Sequence, residues 1–234
     1  MKYLLRFSLV ALIALLISAN SFAEGFEGIV QIEITSPKMG GSKMSLTTYI
    51  KGEKSLTEMS MPQGNMKIYV DQEKHKSIMV MEAMKIGMEM DMSKAKDLTK
   101  KSDDAAPTIE ATTEKQMISG HNCVLYRVTT KNGEQSNWWM TKDVSNSILS
   151  SLKNIYNNGA AGLKGRGPSS EAIEEMFKKG LVPIQIESLK DGKPEATITF
   201  VKFEKKDIED SMFKIADDIK IQQMPAGMGG MGGQ

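Results

Sequence analysis

Residues 68–92 read "IYVDQEKHKSIMVMEAMKIGMEMDM", and their alternation decides the fold class. A β-strand repeats every two residues, so Ile68 and Val70 share one face of a strand. By the same spacing Met79 and Met81 share a face, as do Met88, Met90 and Met92. Between the first two runs stands "QEKH", a polar break of turn length.

The pattern continues in both directions. "FEGIVQIEITSP", Phe26 to Pro37, sets apolar residues at 26, 30, 32 and 34 with Gln31 and Glu33 between them, as in a half-buried strand. "MSLTTYIKG" repeats this with Met44, Leu46, Thr48 and Ile50, and "KSLTEMSM" runs into the turn-former "PQGN". Downstream, "KQMISGHNCVLYRVTTKNGEQSNWWMTKDV" reads as two strands joined across "KNGE", an Asn-Gly hairpin turn. Adjacent Trp138 and Trp139 then point to opposite faces, one of them into the core. "LVPIQIESL", "KDGKP" and "ATITFVKF" form a closing hairpin, and polar Asp97–Thr113 reads as an exposed loop.

Helical spacing appears only late. Ile148, Leu149, Leu152, Ile155 and Tyr156 share one helical face, with Gly159 beyond. A second short helix starts at Ser169 or Ser170, carries Ile173, Met176 and Phe177, and stops before Gly180. The expected architecture is mainly β (α+β): one curved antiparallel sheet capped by two short helices. It forms a single domain over residues 24–223, followed by a disordered Gly/Met tail at 224–234.

The N-terminus predicts export. Lys2 and Arg6 precede an apolar run from Phe7 to Ile17, and small residues at Ser21 and Ala23 mark a signal peptide, residues 1–23, cleaved before Glu24. That run is short for a spanning helix. The expected mature chain is soluble, periplasmic or secreted, and monomeric. Removing residues 1–23 leaves 28 Lys+Arg against 29 Asp+Glu, which argues against nucleic acid as the main partner. Cys123 is the only cysteine, so no internal disulfide forms, and its apolar neighbours predict burial.

Catalytic constellations are missing: there is no G-x-S-x-G, H-E-x-x-H, Walker loop or C-x-x-C, and only His75 and His121 are available to a triad. No enzyme activity and no cofactor are expected. "GLKGRGPSSE", Gly162 to Glu171, matches no phosphate fingerprint and reads as a Gly-rich connector. The methionines carry the remaining chemistry. Nine of 19 lie between Met59 and Met92, and Met59 and Met61 alternate like the others. Three roles stay open for them. They can fill a core in place of Leu or Ile. They can line a pocket for an apolar ligand, with Ile68, Val70, Met79, Met81, Met88, Met90 and Met92 as its wall, because the unbranched thioether adapts to irregular shapes. Or Met88, Met90 and Met92, with His121 and Cys123, can hold Cu(I), which soft sulfur ligands select.

At "SGHNCVLYRV…WWMTKDV" the chain resembles an uncharacterised envelope family, "domain of unknown function forty-four twelve". The resemblance rests on Gly120, Cys123, Tyr126, a Trp at 138 or 139, and Thr141-Lys142-Asp143. It extends in order through "YIKGEKSLTEM", "IYVDQEKHKSIMVM" and "VPIQIESLKDGKPEATITFVKFEKKDIEDSMFKI". His121 stands where that pattern has an aromatic. The pattern is also similar to the periplasmic lipoprotein-carrier superfamily. That implies an open half-barrel of antiparallel strands, capped by helices around an apolar cavity, and binding of a lipid or lipidated protein. It implies no catalytic residues. A structural envelope protein without ligand is the remaining alternative.

Overall fold

The structure, a computed structural model, describes residues 26–37, 40, 42–61, 64–91, 108–130, 133–144, 148 and 176–223. From β1 (Gly28–Thr35) the chain winds antiparallel through β2 (Lys43–Lys51), β3 (Lys54–Met61), β4 (Gly64–Asp71), β5 (Lys76–Met81) and β6 (Ile86–Asp91). A second meander runs through β7 (Thr108–Ile118), β8 (His121–Thr129), β9 (Gln135–Thr141), β10 (Val182–Lys190) and β11 (Lys193–Lys205). It brings β11 back beside β1. β12 (Lys220–Gln223) then joins the outer edge of β6 in parallel. The result is one open sheet of 12 strands in the order β12-β6-β5-β4-β3-β2-β1-β11-β10-β9-β8-β7. It is not closed into a barrel.

Alternation becomes packing directly. β1 buries Gly28, Val30, Ile32 and Ile34 and leaves Ile29, Gln31, Glu33 and Thr35 half-covered. One core runs from Ile68 on β4 through β1 to Val128 and Trp138 on the other wing, so the sheet curves around it. Trp138 is buried, its Nε1 donating to Ser136 Oγ at 3.0 Å, while Trp139 is half-buried.

Two expectations change. The sheet reaches further than the sequence suggested: residues 108–113, expected in a loop, begin β7, and the stretch expected as two strands is the end of β7 followed by β8 and β9. β7 is the sheet's outer strand and mostly exposed, so its polar sequence carries no apolar alternation to read. The "KNGE" hairpin is present between β8 and β9, closed by Thr130 N–H donating to Glu134 O at 2.9 Å. Helices are nearly absent among the described residues, in place of the two short capping helices expected: helix is confined to Ile148, the turn 176–178 and short 3₁₀ turns such as Glu82–Met84 and Asp210–Phe213. The turn 176–178 shows why helical spacing was legible there. Gly180 N–H donates to Phe177 O and Leu181 N–H to Met176 O, with Gly180 at φ 69, which is a Schellman stop. Met176, Phe177 and Leu181 all join the core. The rest of both helices, the 162–171 connector, the 1–23 leader and the 224–234 tail lie outside the described residues.

After β11 the chain crosses the back of the sheet as a strap, 206–219, to reach β12. Lys206 N–H donates to Glu27 O at 3.1 Å and Ile208 N–H to Glu27 Oε1 at 2.8 Å, while Lys51 Nζ donates to Ile208 O at 2.7 Å. At the far end Lys220 N–H donates to Lys85 O at 3.0 Å, Lys85 pairs with Asp218, and Gln223 Nε2 donates to Glu89 Oε1 at 2.8 Å. Gly87 makes room for this: a Cβ there would meet Ile219 Cγ2 at 3.3 Å and Ile221 Cγ1 at 3.4 Å. No helix among the described residues is long and apolar enough to cross a membrane.

Two outcomes are expected. A Cβ at Gly28 would sit 2.0 Å from Glu204 O, a backbone atom that cannot swing away. Gly28→Ala should therefore lower stability in denaturant melts by about 1–3 kcal/mol or more. The second concerns pH. The hydrogen bond from Lys85 holds the Asp218 carboxyl below the usual range, and those from Gln223 and then Lys76 do the same for Glu89. Groups with depressed folded pKa values stabilise fully above their ordinary pKa, and that contribution disappears as pH falls through the depressed values. Hydrogen-exchange protection of 220–223 should thus hold down to about pH 5 and decline below about pH 4. Asp218→Asn with Glu89→Gln should remove the decline.

Candidate functional site

Strand register assembles the candidate residues into one face. Ile32 on β1 pairs with Leu46, which pairs with Met59, then Met66, Met81 and Ile86 across to β6. A second row runs Thr48, Thr57, Ile68, Met79 and Met88, and a third runs Ile50, Ser55, Val70, Ser77 and Met90. Ile68, Val70, Met79, Met81, Met88 and Met90 therefore share the core face of the sheet. Met92 lies outside the described residues.

Burial divides this face into a closed and an open part. On β2–β4 it is sealed: Leu46 and Ile68 are 1 % exposed, Met59 2 %, Val70 3 % and Met66 4 %. On β5 and β6, Met79, Met81, Ile86, Met88 and Met90 are all only half-buried. The face is thus a packed core that opens toward β6, and its open part is lined chiefly by thioethers. Hydroxyls interrupt the closed part. Thr48 Oγ1 and Thr57 Oγ1 hydrogen-bond each other at 3.0 Å, which settles two buried polar atoms across a strand pair. Ser55 and Ser77 are buried beside them. The sequence hid this arrangement, because only register reveals that Thr48 lies opposite Thr57 and that Ser55 and Ser77 flank Val70. Met44, Met59 and Met66 likewise extend the methionine face beyond the predicted wall.

The back face carries the charge. Lys67 Nζ bridges Glu82 at 2.9 Å and Glu58 at 3.3 Å, and those contacts push its pKa up. Burial pushes the Tyr49 and Tyr69 hydroxyls up. A cleft of about 490 Å³ lies between the strap and the β4–β5 end of the sheet, with Tyr69, Ile78, Phe213 and Ile215 among its walls.

His121 and Cys123 do not sit with the methionines along the sheet. Both are on β8, nine places from β6 in strand order. The Cys123 thiol is buried, pushed up to about 11 by loss of solvent, and donates to His121 O at 3.5 Å. His121 Nδ1 lies 2.8 Å from Asp143 O, and its ring packs edge-on against Phe203. No group of three or more His, Cys, Asp or Glu suited to a metal occurs among the described residues.

The family model for DUF4412, a domain of unknown function, matches residues 26–219. This chain belongs to that family. No curated protein matches it. An uncharacterised conserved protein from Thermus thermophilus is similar at TM-score 0.48 and 7 % identity, over 85 % of this chain and 91 % of that one. A chain of the Pseudomonas aeruginosa MucA/MucB complex is similar at TM-score 0.42 and 9 % identity, over 92 % of this chain and 62 % of that chain. A LolA superfamily protein from Nitrosomonas europaea is similar at TM-score 0.30 and 10 % identity, over 86 % and 94 %.

Truncation separates core from lining. Met59→Ala should cost about 2–5 kcal/mol in denaturant melts, as for a fully buried side chain, and Met88→Ala under about 2 kcal/mol. Equal costs would place Met88 in a closed core.

Proposed function

We propose that the protein is an exported, non-catalytic binding protein for a lipid or other apolar ligand of the cell envelope. The observation that carries this is the half-buried methionine surface on β5 and β6, continuous with a sealed apolar core. Met79, Met81, Met88 and Met90 present unbranched, polarizable side chains that repack around an irregular apolar guest. Ile68 and Val70 form the fixed wall behind them. The basic start and apolar run of the N-terminal sequence support export with a mature start at Glu24, and the absence of a catalytic motif in the sequence supports binding without turnover.

Burial sets the ligand's size. An acyl chain of roughly 12–16 methylenes gains about 10–13 kcal/mol from dehydration. Lost translational freedom and chain ordering offset at least about 4 kcal/mol of that. Only chains of this length reach the micromolar range, and short-chain acids should bind far more weakly.

Native mass spectrometry of the protein taken from its own host envelope is the direct test, with a lipid-mass adduct expected. A bare polypeptide mass, together with no uptake of a sixteen-carbon fatty acid by the purified protein, would overturn the proposal and favour a purely structural role. Met88→Gln places an amide in the apolar lining and should weaken uptake about tenfold or more, equivalent to about 1.4 kcal/mol. Met84→Gln, at a residue 58 % exposed on a turn, should leave it unchanged.

A further inference from the structure

Register places the thioethers closer together than the sequence alone allowed. Met79 and Met88 are direct cross-strand partners on β5 and β6, so their Cβ atoms stand about 4.5–5.5 Å apart. Met81 lies diagonal to Met88, and Met90 diagonal to Met79, on the same face. All four are half-buried, within reach of solvent yet backed by an apolar core. The oxygen donor beside them on this face is the buried Ser77 hydroxyl, opposite Met90, while the nearby carboxylate of β6 points elsewhere. Glu89 alternates onto the back of the sheet, where it accepts from Lys76 and Gln223.

We infer that Met79, Met81, Met88 and Met90 form a site for a soft monovalent cation, Cu(I), held by thioether sulfur alone. Packing would be served equally well by leucine; what methionine adds is a soft sulfur donor on a side chain with three rotatable bonds, free to converge on an ion. Neutral sulfur selects against Mg²⁺ and Ca²⁺, which demand oxygen. The single positive charge is tolerable because the site is only half-buried, so water shares its solvation. His121 and Cys123, distant along the sheet, take no part.

This inference is independent of lipid binding, since Leu retains the apolar lining and deletes the metal ligand. Purified protein is titrated with Cu(I) against a colorimetric Cu(I) chelator, under reducing, anaerobic conditions. One ion per chain is expected, with sulfur-only coordination by X-ray absorption. Thioethers do not protonate, so affinity should stay flat between pH 7 and pH 5, where a histidine or thiolate site would weaken. Met79→Leu with Met88→Leu, a volume-conserving pair, should reduce affinity by about a hundredfold or more. Met84→Leu with Met117→Leu, both exposed and away from the face, should not change it. No uptake by the native protein, nitrogen or oxygen ligands in the spectrum, or unchanged affinity in the Met79/Met88 variant would each overturn the inference.

Discussion

The pairing of β1 with β11 holds this molecule together. Two meanders, β1–β6 and β7–β11, are each built from neighbours in sequence, and only this seam makes them one sheet. Gly28 to Thr35 pairs with Lys205 back to Thr197, with a register shift between Gln31 and Ile32. The shift puts Phe200 and Phe203 on the same face, opposite Ile32 and Val30, where their rings stack with centroids 5.7 Å apart. The seam also tolerates no side chain at Gly28, since Glu204 O occupies that space. A second irregularity, between Ser188 and Leu189, lies beside Glu195, whose carbonyl accepts from Ser36 Oγ at 2.7 Å.

The two proposed roles both rest on the β5–β6 end of the sheet. The core face is sealed on β1 to β4, while across the seam on β11 only Phe200 is fully buried and Ile198 and Phe203 are half-buried. Toward β6 the same face passes from sealed Met59 and Met66 to half-buried Met81 and Met88. The strap works on the opposite side. It covers the back of the first meander and caps the edge of β6 with β12, so that edge is not left open for pairing with another chain. One end of the sheet thus has a guarded backbone edge and an accessible side-chain face.

The same methionines suit an apolar guest and a soft ion for different physical reasons, one the adaptable hydrocarbon stem and the other the sulfur. Leucine substitution separates these properties because it keeps the first and deletes the second. The hydroxyl pair of Thr48 and Thr57 stays out of both roles, being sealed and mutually satisfied.

The sequence by itself determined most of the strands, the turns between them and which residues of one strand share a face, because a period of two is local information. Alternation alone set Ile68 with Val70, Met79 with Met81 and Met88 with Met90. It read the polar residues 108–113 as a loop, since a mostly exposed outer strand has no apolar alternation. The tertiary structure alone decided the register that sets Met79 against Met88, the seam that joins β1 to β11, and the parallel β12. It also parted His121 and Cys123 from the methionines. Those contacts join residues far apart in the chain, and nothing in local spacing specifies which distant strand a given strand will meet.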